Sequence, residues 1–528
     1  MSKTNNSNSR TKNTVLNLTS GIIGEVIIYS LEFITRTVFV RTLGRNYLGI
    51  SGLFTNILAL LSLADLGIGT ALNYRLYKPL KEKDESRLSV LMDFYKKIYF
   101  IIGSVIFILG CCLIPFLRFL IKDFSLFDEL NLNVYLIFFL YLFQAVSTYW
   151  FFAYRSAIVK ADQKEYYLNI VGYIVTLISN IFQIAILLAT RNYILYMIVV
   201  IAMNIVQGFV NAIIANKMFP FIKTKIQKHI EKEEAKELFK DCGSISLFSI
   251  SSQVLKSTDN LVLSAFIGLE IVGLYSNYLM IYNALKKIIK RLIRSAQASL
   301  GNLFADANNE VRFSFFMQMN CFMLLFCGTA SVCVAVLADE FITTWLGSEF
   351  VIKMPFSFLI ALELYTIGIK LVLEQIRDVI GLFQKVRWRP VLGMCINIVV
   401  SITLVNTCGI YGVLLGTLIS EWATTLIVDP RMVFKYGFNQ YKPVNVFYYT
   451  NGLFVLELTV IGLLNYWFTK NVWTGLGWIS FILHSIVCVI TTVVFLVIVN
   501  LHNQYMRQLI IRGEKIVRKL IKRGESSH

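Results

Sequence analysis

Apolar runs of about 20 residues recur along nearly the whole chain, and no other feature limits the fold so tightly. Each run is long enough to cross the hydrocarbon of a bilayer as a helix, and a helix satisfies its own backbone hydrogen bonds there. Fourteen spans fit, at approximately 15–40, 48–72, 98–118, 132–154, 166–189, 193–216, 242–267, 271–293, 313–337, 354–376, 390–408, 410–429, 446–468 and 476–500. With 56% hydrophobic and only 16% charged residues in 528, a soluble multidomain protein is excluded. The short alternating strands of a membrane β-barrel are not seen. The expected fold is an all-α polytopic membrane protein.

The net charge of +18 raises the question of nucleic acid, and its distribution answers it. With the N-terminus inside, 40 Lys and Arg fall in inner connections and adjoining helix ends, 7 in outer ones and 3 (Arg36, Lys256, Lys370) within spans. This asymmetry is the positive-inside pattern. It orients the chain and engages anionic headgroups, with no call on RNA or DNA. Both termini are expected on the cytoplasmic side: a polar head, "MSKTNNSNSRTKN", without a secretory signal, and a basic amphipathic tail on the inner leaflet. Five prolines (Pro79, Pro220, Pro390, Pro430, Pro443) are expected to stop helices at inner ends.

Charges inside spans are costly, about 2.5–3.5 kcal/mol each at a helix centre on insertion scales, and here they keep to faces. Positions i, i+7 and i+11 share a stripe on a helix. Glu25, Glu32 and Arg36 have that spacing, as do Glu363, Lys370 and Glu374, with Arg377 just beyond. A third stripe contains Gln253, Lys256, Asp259 and Asn260, and Asp65 adds a carboxylate to the second span. Two readings follow. The charges pair within the membrane, for example Lys370 with Glu374, or together they line a hydrophilic translocation cavity; the whole set favours the cavity. No cofactor is expected, though the excess of carboxylates would suit proton or sodium coupling.

Enzymatic readings find little support. The four histidines (His229, His484, His502, His528) form no sequence cluster, no large outer domain is present, and no phosphate-gripping glycine loop occurs. The nine cysteines have neither metal spacing nor a disulfide framework, and read as packing.

A weak repeat organises the chain. "TLGRNYLGISGLFTNILAL" (42–60) aligns with "FIGLEIVGLYSNYLMIYNA" (266–284) at an offset of 224, matching Gly44 to Gly268 and Gly49 to Gly273. This register sets Glu32 opposite Lys256, and the two are expected to meet across a pseudo-twofold axis. The expected domains are a tail (1–14), a six-helix lobe (15–216), a charged linker (217–241), a second six-helix lobe (242–429), two additional helices (430–500) and the basic tail (501–528).

The segment "FVRTLGRNYLGISGLFTNILALLSLADLGIGTALNYRLYKPLKEKDESRLSVLMDFYKKIY" (39–99) resembles the start of polysaccharide-biosynthesis flippases. These are the Wzx-type branch of the multidrug/oligosaccharidyl-lipid/polysaccharide exporter superfamily. The resemblance implies a MATE-like bundle of two pseudo-symmetric lobes with a central cationic cavity. It implies translocation of an undecaprenyl-diphosphate-linked oligosaccharide across a bacterial cytoplasmic membrane, with a polymerase and chain-length machinery as possible partners. A diphosphate needs Arg or Lys, so Arg36 and Lys256 become its expected contacts. Arg41, Arg45 and the cluster Lys286, Lys287, Lys290 and Arg291 stand at the cavity mouths, where the cluster serves equally as a positive-inside anchor. Acidic residues outnumber bases in the spans, which keeps open a cation-coupled multidrug antiporter of the same superfamily. A lipid II or teichoic-acid precursor flippase is a third reading.

The charge asymmetry makes a direct prediction. Cysteines introduced at Ser86 or Lys228 should react with an impermeant maleimide only after the membrane is opened; labelling of either in intact cells would refute this orientation.

Overall fold

The computed structural model describes Gly24, residues 27–28 and most of 30–525; outside it lie chiefly 63–67, 224–252 except Glu233, 255–256, 296–299 and 473–476. Among the described residues the structure is helical, with no strand. By internal packing the chain divides into two compact units, Met1–Gly273 and Leu274–His528.

The first unit contains α1 (30–43), α2 (Arg45–Leu61), α3 (Ile68–Glu82), α4 (Glu85–Leu113), α5 (Val134–Trp150), α6 (Ala153–Ala161), α7 (Glu165–Thr190), α8 (Tyr193–Met218), α9 (257–266) and the first residues of α10 (Leu269–Ser295). Short polar turns start these helices. Asn133 accepts from the Tyr135 and Leu136 amides, Asn192 from Ile194 and Leu195, and Asp84 from Arg87, occupying donors that a helix start leaves open. The core is aromatic and aliphatic: Phe54 is fully buried against the rings of Phe138 and Tyr141, each at 5.6 Å.

The second unit holds the rest of α10, then α11 (Asn309–Trp345), α12 (Phe356–Val379), α13 (Arg389–Cys408), α14 (Ile410–Tyr436), α15 (Asn445–Asn471), α16 (Trp478–Val499) and α17 (Gln504–Glu525). Its centre is α11 and α12, both buried over most of their apolar length, whereas α13 and α16 are largely exposed. At 37 residues α11 is about 55 Å long, more than a bilayer requires. Its start is held by Phe313 and Phe316, packed with Phe434, Phe438 and Phe447. The amphipathic α17 docks on the same end: Gln508 accepts from Ser314 at 3.1 Å and from Gln318 at 2.6 Å, and Met506 is fully buried.

Among the described residues nine helices are long and apolar enough to cross a membrane, or ten if the bent pair Val134–Trp150 and Tyr154–Ala161 forms one span. The expected spans 15–40 and 242–267, and most of the linker 217–241, fall largely outside the described residues. Three of the five prolines depart from expectation: Pro79 lies inside α3, Pro430 lies inside α14, which continues to Tyr436, and Pro390 stands at a helix start instead of a stop. Pro390, in the first turn of α13, starts a helix, where its missing N–H costs nothing.

The sequence repeat has a structural counterpart within the first unit. Gly44 and Gly268 both end a helix at positive φ, 91° and 139°, a conformation that other residues adopt only with strain. Helices α2 and α10 then cross at the matched glycines. A Cβ on Gly49 would collide with the Leu269 carbonyl, and one on Gly273 with the Arg45 carbonyl. Leu269 is the repeat partner of Arg45, and Gly273 of Gly49, so the contact is reciprocal, as a local twofold demands. An ion pair between Arg45 and Glu270 at 3.1 Å closes it. Because backbone cannot yield to a side chain here, Gly49→Leu or Gly273→Leu should cost about 1–3 kcal/mol or more, seen as a lower unfolding temperature in detergent; Gly452→Ala, at an exposed helical position where a Cβ meets nothing, serves as the control for handling.

Candidate functional site

In the second unit, α12 carries Glu363, Lys370 and Glu374 on one side, as their spacing predicts, and neighbouring helices supply the partners. Lys370 Nζ is 2.6 Å from Glu421 Oε1 on α14. Glu374 lies 4.0 Å from the Arg389 guanidinium on α13. Arg389 also bonds to Asp429 on α14, which takes a second contact from Arg377 at 3.3 Å. Arg377 reaches Asp378 at 3.0 Å. The expected pairing of Lys370 with Glu374 is thus replaced by one between helices. Exposure varies within the set: Lys370 keeps 25% and Glu421 16%, but Asp429 has none.

On α10, Tyr282 donates its hydroxyl to Glu363 and accepts from Lys286 Nζ at 3.2 Å; the ammonium also lies 4.8 Å above the Tyr282 ring. Glu363, Lys370 and Glu421 are all electrostatic neighbours of Lys286. Four bases and five carboxylates therefore form a continuous set. Its guanidiniums and Lys370 are committed to carboxylates, while the hydrogen bond of Lys286 is to a neutral phenol. The outer oxygens of Glu421 and Asp429 are buried without a described hydrogen-bond partner, so a water or a polar ligand group would find acceptors there. Beyond Lys286, Lys287 is exposed and Lys290 and Arg291 half-buried.

In the first unit, Glu32 is exposed and Arg36 half-buried one turn later on α1, with Tyr196 and Glu32 as charged or polar neighbours of the guanidinium. The adjacent Thr35 donates to Asn180 on α7, and Gln183 to Ser179 at 2.7 Å. Tyr141 and Tyr193 share a hydrogen bond of 2.8 Å, and Tyr193 stacks on Tyr196. Arg41 is exposed and Arg45 belongs to the ion pair with Glu270. Asp259 and Asn260 are buried in α9, and Gln253 donates to Ser257 at 3.1 Å. Glu25, Asp65 and Lys256 lie outside the described residues, and with them the expected pairing of Glu32 with Lys256.

Several members of these sets escaped sequence reading. Arg389 and Asp429 sit near span ends, where a charge passes for a headgroup anchor. Tyr282 reads as an ordinary aromatic. Ser179, Asn180 and Gln183 did carry a signal, three polar groups at i, i+1 and i+4 within an apolar run.

The fold is similar to those of several solved membrane transporters. The lipid II flippase MurJ in an inward closed conformation aligns over 92% of this chain and 99% of its own, with a TM-score of 0.65 at 15% identity. An inward-facing multidrug resistance MATE family transporter of the MOP superfamily covers 79% of this chain and 96% of its own, with a TM-score of 0.56 at 15% identity. A eukaryotic MATE transporter covers 82% and 97%, with a TM-score of 0.51 at 13% identity. No curated protein sequence matches. The family model described as polysaccharide biosynthesis protein matches residues 12–297. The chain belongs to that family, and it is a multi-pass membrane protein.

Removing one member of a buried pair leaves the other uncompensated, at about 3–5 kcal/mol. Asp429→Ala takes a fully buried carboxylate from two guanidiniums that are each at most 5% exposed, whereas Asp378, 29% exposed, touches one. Asp429→Ala should therefore lower the unfolding temperature in detergent markedly, and Asp378→Ala much less; equal effects would contradict the bridging role.

Proposed function

We propose that the protein carries a polyprenyl-diphosphate-linked oligosaccharide, with undecaprenyl as the lipid, from the inner to the outer leaflet of a bacterial cytoplasmic membrane by alternating access. It acts without chemical conversion of the substrate and supplies repeat units for a surface polysaccharide. The observation that carries this reading is an amphiphilic junction on α10. Ile281 and Leu285 line a cavity of about 530 Å³ that is almost wholly apolar, completed by Phe326, Val334 and Phe341 of α11 and Val489 of α16. The next residues along the helix, Tyr282 and Lys286, belong to the charged set. A ligand with a long hydrocarbon chain and an anionic head matches both surfaces at once. The chain would be held by burial of apolar area, and the head by Lys286, the ammonium of the charged set whose described hydrogen bond goes to a neutral group.

Family membership supports a role in polysaccharide biosynthesis, and the proteins of like fold include one described as a lipid II flippase and others described as multidrug transporters. Alternating access would present the charged set to one leaflet at a time. The glycan, rich in hydroxyls, needs a water-filled route, and the partly exposed Lys370 and Glu421 suit its wall. The excess of carboxylates over bases favours one competing reading, extrusion of an organic cation.

The two readings separate in cells. Deleting the gene should cause a lipid-linked oligosaccharide to accumulate, read by mass spectrometry of extracted lipids, and Lys286→Ala should reproduce at least a ten-fold accumulation while Lys286→Arg restores most export. Unchanged lipid-linked intermediates, together with greater sensitivity to cationic compounds, would overturn the flippase reading.

A further inference from the structure

Away from the charged set, three helices of the second unit meet at a buried histidine. His484 of α16 is 1% exposed, and its Nδ1 lies 2.6 Å from Glu340 Oε2 on α11. Its Nε2 lies 2.9 Å from the Thr469 hydroxyl on α15, and that hydroxyl is also 2.8 Å from the carbonyl of Asn465. The Thr469 hydroxyl has a single proton and two places to send it. Donated to Nε2, it meets a neutral imidazole whose Nδ1–H bonds the Glu340 carboxylate. Donated to the Asn465 carbonyl, it leaves the Thr469 oxygen to accept from the Nε2–H of an imidazolium, which bonds Glu340 through the other nitrogen. Both protonation states are therefore fully hydrogen-bonded, and the ring need not move.

Glu340 is the carboxylate that the ring bonds among the described residues. On α11, Asp339 is turned to the Tyr278 and Ser357 hydroxyls, and Cys333 lies 3.9 Å from Cys488 of α16. On α15, Tyr466 packs its ring on Phe358, Lys470 is exposed, and Glu457 is bonded to Asn500. In the charged set, by contrast, Glu374, Glu421 and Asp429 already face bases.

We propose that Glu340, His484 and Thr469 form a reversible proton-binding site, built into the wall that α11 and α16 share with the apolar cavity. Phe341 and Phe481, which line that cavity, are close in sequence to Glu340 and His484. Binding a proton takes the buried pair from one negative charge to none. In the proposed orientation, the end of α11 and the start of α16 face outward, so the site equilibrates with the outer medium. The proton site stands whether the cargo is lipid-linked or not, and its test needs no transport.

The full-length protein carrying His229→Gln, His502→Gln and His528→Gln retains His484 as its one histidine. Prepared with ¹⁵N-imidazole histidine in detergent, it should show a single ring that passes reversibly between neutral and doubly protonated forms within the pH range in which the protein stays folded. Adding Glu340→Gln keeps the shape and a hydrogen bond but removes the anion. Proton affinity should then fall at least ten-fold, with the doubly protonated form lost from most of that range. Thr469→Val, which removes the hydroxyl that both states use, should also displace the titration and is the second variant should Glu340→Gln not fold. A ring that keeps one protonation state across the range, or that titrates identically in the folded variants, would overturn the proposal.

Discussion

A charge inside a bilayer must be answered within the protein, and the second unit is organised around that requirement. Lys370, Arg377 and Arg389 each reach a carboxylate on another residue of α12 or α14. Because α12 supplies bases to carboxylates of α14, and α13 supplies Arg389 to both, the three helices are tied by pairs that neither lipid nor water could replace at the same depth. The energy of these pairs is modest in net terms, since desolvation opposes the attraction. Their consequence is positional: loss of any partner is costly, so the helices are held in one register.

The neutralisation has a chemical consequence. If the cargo is the proposed diphosphate-linked lipid, a strongly cationic cavity would hold it too tightly to release it, and a self-neutralised one with a lightly committed ammonium would hold it weakly enough to pass it on. Lys286 occupies that position, bonded to Tyr282 with Glu363 behind. The apolar cavity begins one residue away on the same helix, so headgroup and chain would be recognised by adjacent faces of α10. In the first unit, the reciprocal glycine contact between α2 and the start of α10 fixes where that helix begins.

Much of this was legible in the sequence, and what was not has physical reasons. Apolar runs mark helices because hydrocarbon permits little else, and α7, α8, α11 and α13 lie where their runs place them. The i, i+7, i+11 spacing of Glu363, Lys370 and Glu374 correctly put them on one side of α12. Their partners were not readable, since spacing reports neighbours on one helix and says nothing of the next: Glu421 replaced Glu374 beside Lys370. Pro79 and Pro430 were misread as stops because a helix end with unsatisfied groups near water can tolerate a missing N–H. The repeated glycines proved more informative than their number suggests, because backbone contact admits no other residue.

The pairing between helices is the claim on which the account of the site rests, and Lys370 with Glu421 tests it most directly. The unfolding temperature in detergent should be measured for Lys370→Glu, Glu421→Lys and the protein carrying both. The account predicts that each single change, which sets two like charges together in the membrane, is strongly destabilising, and that the double change recovers most of the loss. Losses that simply add would show that the two residues do not pair, and would contradict a self-neutralised site.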